Sequence, residues 1–141
     1  MTPRFPSGRA FCDTSFFFAA LAPRDVNHAR ARDLLTACAD EGIALHTTWD
    51  VVSETVTLLT YRLDRRAGVA FLDDVKPALA IVPTTSAVLS EAEAVFRRFA
   101  PRMRLSFCDA VSVVVLTSIL RDAPCLTFDR DFAALGLTVM S

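Results

Sequence analysis

Asp13, Glu54, Asp109 and Asp129 are scattered along the 141-residue chain, yet each falls where an apolar run stops or a helical pattern starts. Asp13 closes "RAFCD", Asp109 opens the apolar stretch "DAVSVVVLTSIL", and Asp129 follows "PCLTF", with a further acid, Asp131, two residues on. Glu54 lies in the second turn of a helical pattern that begins near Trp49. If these positions share one rim, like charges crowd together there. Two of them about 4 Å apart repel by roughly 4 kcal/mol at an effective dielectric near 20. Raised pKa values, basic partners or bound cations relieve such a cup. Hard oxygen donors without His or Cys clustering favour Mg2+ or Mn2+ over zinc. Ions of that kind generate hydroxide and offset charge on a phosphodiester during in-line attack. Each acid also has a purely structural reading. Asp13 and Asp129 suit turns or caps, Asp109 completes a capping box with Ser106, Glu54 suits a solvated helix face, and Asp131 suits a cap before "FAALG".

The elements that must position these acids follow from periodicity. Short apolar runs alternate with helical patterns, the mark of a parallel sheet with crossover helices. "RAFC", "IALHT", "ALAIVP", "PCLTF" and "LTVMS" read as strands. Between them, helices are expected in "SFFFAALA" up to Pro23 and in "DVNHARARDLLTACADEG", with Val26, Ala29, Leu34, Ala37 and Cys38 near one face. Further helices are expected from about Trp49 to Arg66, in "GVAFLDDVK" up to Pro77, in "SEAEAVFRRFA" and in the nearly all-apolar segment after Asp109. The expected order is β-α-α-β-α-α-β-α-α-β-α-β: an α/β/α sandwich around a mostly parallel sheet of about five strands. Ligands of such sheets bind at the carboxyl ends of the strands, where Asp13 and Asp129 stand. Trp49 is expected to pack into the core at its helix start, and His28 to be solvated.

Bulk properties narrow the function further. The chain suits one domain, with residues 1–9 as a flexible arm and 10–141 as the folded unit. No apolar stretch reaches the roughly 20 residues of a membrane span, and the first residues lack the apolar core of a secretory signal. A cytoplasmic location without membrane contact is expected. Four cysteines without paired spacing read as buried thiols rather than a disulfide framework. The net charge is −1, and all 15 basic residues but Lys76 are Arg, so any nucleic-acid binding is local.

"FCDTSFFFAAL", "TTWDVVSETVTLL", "LSFCDAVSVVVL" and "CLTFDRDFAALG" together resemble the PIN-domain family, and more narrowly its VapC-type toxin ribonucleases of type II toxin-antitoxin systems. The resemblance spans Phe11 to Met140. It implies an acidic quartet at Asp13, Glu54, Asp109 and Asp129 that is both catalytic and metal-binding. Thr127 would help arrange the attacking water, and Asp131 would support the last acid. It further implies an Mg2+- or Mn2+-dependent endoribonuclease leaving a 5′-phosphate and a 3′-hydroxyl, a homodimer, and a cognate antitoxin whose apolar helix fills a groove at the first helices. A non-catalytic interaction module or an RNA-processing nuclease of the same fold are the alternatives. A phosphoryl-accepting Asp13 is disfavoured, because Lys76 precedes a strand instead of following one.

Overall fold

In a computed structural model, which describes residues 5–141, the alternating patterns become five strands and seven α-helices. The order is β1 (Arg9–Cys12), α1 (Thr14–Leu21), α2 (His28–Glu41), β2 (Ala44–Thr47), α3 (Trp49–Arg62), α4 (Arg65–Ala70) and β3 (Ala80–Ile81). Then follow α5 (Ser86–Phe99), α6 (Phe107–Val114), β4 (Cys125–Leu126), α7 (Arg130–Ala134) and β5 (Val139–Met140). All pairings are parallel and the strands lie in the order β3-β2-β1-β4-β5. Of the arm expected over residues 1–9, residues 1–4 lie outside the described ones, Phe5 packs against the core, and Arg9 already opens β1.

The two central strands are the most apolar because both their faces are covered. Ala10, Phe11, Cys12, Cys125 and Leu126 have no exposed surface. Phe16, Leu34, Val52, Leu59, Phe71, Val111 and Phe132 fill the layers between sheet and helices, each burial stabilising by about 1.5–3 kcal/mol. After Asp109, every residue from Ala110 to Leu116 is buried, as a nearly all-apolar central helix requires, and the one polar side chain among them, Ser112, donates its hydroxyl to Cys108 O at 3.1 Å. That helix then widens into a π-turn over Val115–Ile119, where Thr117, Ser118 and Ile119 reach the surface.

Several sequence expectations need correction. The helix expected over 49–66 breaks after Arg62, because the Asp64 carboxylate accepts from the Ala67 amide at 2.8 Å and starts α4 afresh. Beyond α4 the chain winds on through a π-turn at Phe71–Val75 and a 3-10 turn at Lys76–Ala78 that carries Pro77. Val26 is 93% exposed and Ala29 is exposed too, since a turn on the Asp25 carboxylate delays α2 to His28 and turns Ala31, Leu34, Ala37 and Cys38 inward instead. Trp49 is 53% exposed, with the Lys76 ammonium 4.7 Å from its ring centroid in place of a core contact. His28 is half-buried and its Nδ1 meets the Ala19 carbonyl at 2.8 Å, tying α2 to α1. Three of the four thiols are buried, Cys108 is half-buried, and all are free. Among the described residues, no helix is long and apolar enough to cross a membrane.

Candidate active site

From β1 the chain continues to β2 and β3 on one side of the sheet, whereas β4 and β5 lie on the other. The crevice between β1 and β4 is therefore the switch point where parallel sheets bind ligands, and both strands end there on polar residues. Backbone pairing runs past the strands to fix them: the Asp13 amide donates to Leu126 O at 3.1 Å and the Thr127 amide to Met140 O at 3.2 Å. Buried Thr47 at the end of β2 donates its hydroxyl to Cys12 O at 2.9 Å.

Asp13, only 3% exposed, would be expensive to ionise alone. Its Oδ2 accepts from the Thr127 hydroxyl at 2.9 Å and from the Ser15 hydroxyl at 2.9 Å. Each hydroxyl in turn accepts a backbone N–H, Phe128 onto Ser15 Oγ at 2.9 Å and Asp129 onto Thr127 Oγ1 at 3.0 Å. Each hydroxyl thus has one lone pair engaged and lies 2.9 Å from the carboxylate, and the two also stand 3.0 Å from each other, so Ser15, Thr127 and Asp13 form one closed network. Burial pushes the Asp13 carboxyl up; the bonds from Thr127 and Ser15 and the nearby Thr14 and Ser15 amides pull it back. Ser15 is a residue that sequence reasoning missed. The Asp-x-Ser spacing after an apolar strand was its signal.

Asp109 sits at the start of α6 in a complete capping box: Ser106 Oγ accepts its amide at 3.0 Å, and its Oδ2 accepts the Ser106 amide at 3.1 Å. Burial, with the charges of Asp13 and Asp129 adding to it, raises this carboxyl to about 6 against the pull of the Ser106 amide. Asp129 starts α7, its Oδ1 accepting the Asp131 amide at 3.0 Å. Asp131 thus supports Asp129 through its backbone. Glu54 is exposed on α3. Its charge is felt at Cys108, whose thiol burial pushes far up, with Glu54, Asp109, Asp13 and Asp50 pushing the same way. Asp50, which sequence reasoning also passed over, takes a 3.3 Å bond from the Thr84 hydroxyl. Asp13, Asp109 and Asp129 therefore share one electrostatic neighbourhood, and Glu54 joins it at the margin.

A common pattern bears on cation binding. One oxygen each of Asp13, Asp109 and Asp129 is held by the protein, and the other oxygen of each makes no hydrogen bond within the described residues. Fixed hard oxygens with a spare lone-pair face suit Mg2+ or Mn2+. Among the described residues, no three His, Cys, Asp or Glu side chains stand close enough to grip one ion as they lie. The donor chemistry fits a divalent cation; closure on it requires the side chains to draw together.

Residues 10–137 match the PIN domain family. Among solved structures, the chain is similar to Mycobacterium tuberculosis VapC20, described as a toxin that cleaves the sarcin-ricin loop. The two share 29% identity and a TM-score of 0.81, over 93% of this chain and 98% of that one. It is also similar in fold to VapBC2 of Rickettsia felis, solved bound to a DNA fragment from its promoter, at 11% identity and a TM-score of 0.65, over 94% of this chain and 97% of that one. No curated protein matches the chain.

Proposed function

The chain belongs to the PIN domain family, and from that premise we propose that it is a metal-dependent endoribonuclease, the toxin of a toxin-antitoxin pair. The observation that carries this reading is the rim at the β1–β4 crevice, where Asp13, Asp109 and Asp129 each keep one oxygen free of protein bonds. Asp13, Asp109 and Asp129 would hold Mg2+ or Mn2+, with Glu54 completing the quartet from the exposed side. When bound, the ion supplies positive charge to the phosphodiester and eases deprotonation of water. The protein's own share is orientation. Ser15 and Thr127 lock the Asp13 carboxylate so that its position does not have to be found anew in each turnover. The capping box does the same for Asp109. Similarity to VapC20 makes the sarcin-ricin loop the first RNA to offer. The VapBC2 structure shares only the fold, and a cognate antitoxin and a homodimer are part of the proposal on family grounds alone. A cytoplasmic site of action goes with it.

The test is cleavage of end-labelled total RNA and intact ribosomes by the purified chain with Mg2+, with Mn2+ and with EDTA, beside Asp13→Ala. Discrete metal-dependent cuts that vanish in the variant are expected. A second reading, a non-catalytic interaction module on the same fold, draws on the lack of three convergent ligand side chains among the described residues. Absence of both cutting and calorimetric Mn2+ binding would replace the first reading with the second.

A further inference from the structure

Next to the acidic rim, on the β5 side, the surface opens into a cavity of about 340 Å3 whose walls include Asn27, Phe128, Asp129, Arg130 and Ala133. That volume lies within the range of small-molecule sites, near its lower end. Asp129 belongs to both the rim and the cavity wall, so an occupant is next to the proposed reaction centre.

The lining is suited to one kind of guest. Asn27 stands at the N-cap position of α2, where an Asn side chain ordinarily accepts a helix amide, yet it makes no cap bond. Its carboxamide has no hydrogen-bond partner among the described residues, so a residue lining the cavity has both a donor and an acceptor to offer. Phe128 is half-buried and stacks on Phe16, 6.3 Å between centroids and 20° between planes. Phe16 is fully buried and lines no part of the cavity, whereas Phe128 lines it and keeps part of its surface exposed. Arg130 is exposed and forms no salt bridge among the described residues. An aromatic surface, an unpaired amide and a free guanidinium are the groups that take an unstacked base, read its edge and hold its phosphate.

We infer that this cavity is a nucleotide subsite that seats one unstacked base of single-stranded RNA beside the scissile phosphate. This rests on the nuclease reading for its place in the reaction but not for its binding chemistry. Asn27 reads the base edge, Phe128 packs against the ring, and Arg130 pairs with the adjoining phosphate.

Binding is therefore measured without metal. The four ribonucleosides and their 5′-monophosphates are titrated in EDTA while backbone amide resonances are followed. At least one nucleoside is expected to shift Asn27, Phe128, Arg130 and Ala133, and its monophosphate to bind more tightly in a way that Arg130→Ala removes. Asn27→Ala is expected to weaken binding by about three- to tenfold, the worth of one or two hydrogen bonds. Ala133→Trp, on an exposed face of α7, fills the cavity and is expected to abolish binding with the fold unchanged by circular dichroism. It should also flatten the base preference of cleavage. No shift with any nucleoside, or binding and base preference untouched by Ala133→Trp, overturns the inference. So do shifts produced only by a protein partner, which give the cavity to a protein side chain. Nucleoside binding by a chain that cuts no RNA removes the nuclease reading and leaves the pocket. Cutting whose base preference ignores the cavity does the reverse.

Discussion

Replacing Asp109 by Asn should stabilise the fold while removing function, and the size of the gain follows from the geometry. The Asp109 carboxyl lies near 6 in the folded protein against 3.8 when unperturbed. A gap of roughly 2 pKa units corresponds to about 3 kcal/mol at full value, and partial solvent access screens this to about 1–2 kcal/mol. The native state holds the proton more tightly than the unfolded chain, so stability falls as pH rises from about 4 to 6 and stays reduced above that. Asn keeps an oxygen for the Ser106 amide, and the capping box survives the change. Urea unfolding followed by circular dichroism at pH 4 and pH 8 should give nearly equal midpoints at the lower pH and a more stable variant at the higher. Added Mg2+ should then narrow the difference by stabilising only the wild type. A variant no more stable than wild type at pH 8 would refute the claim that Asp109 is strained by burial and by its acidic neighbours.

Two further outcomes follow from the same structure. Ser15→Ala removes one of two donors to Asp13 and strands the Phe128 amide, so thermal melts should show a loss of about 1–3 kcal/mol. Because donors favour the charged form, the Asp13 carboxyl should titrate higher still by carbon NMR, and the acid limb of cleavage should move to higher pH. Gly68→Ala should destabilise by about 1–2 kcal/mol despite the better helix propensity of Ala. The added methyl would stand 2.6 Å from Thr60 Oγ1 and 3.3 Å from Val56 O, and Thr60 cannot turn aside without breaking its 2.7 Å bond to that carbonyl. Denaturant midpoints in a Thr60→Ala background should show most of the penalty gone.

The element order was legible because strands of a parallel sheet held between helix layers read as short apolar runs, most plainly in the buried central pair β1 and β4. Asp13 and Asp129 were legible as strand endings, and Ser106 with Asp109 as a capping box, because those signals are local. What escaped depends on contacts across the fold. The role of Ser15 requires Thr127 and Phe128 from over a hundred residues away. Aromatic character points Trp49 to the core, whereas in the fold it stands at the surface with the Lys76 ammonium over its ring. The break before α4 turned on one Asp acting as a cap inside a pattern whose period gave no warning. That Glu54 stands exposed on α3 could not be read from spacing.

The bond between Thr127 and Asp13 joins residues 114 positions apart, through a strand inserted beside the first one made. During synthesis, therefore, a growing chain carries Asp13, Glu54 and Asp109 long before it carries any acidic crevice. Ser15 stands two residues from the carboxylate at the end of β1, but the second hydroxyl, that of Thr127, reaches it only when the segment through Asp129 has cleared the ribosome and β4 has slid against β1. Truncation between Asp109 and β4 therefore yields a fragment that has three of the four acids but neither Asp129 nor the Thr127 donor to Asp13.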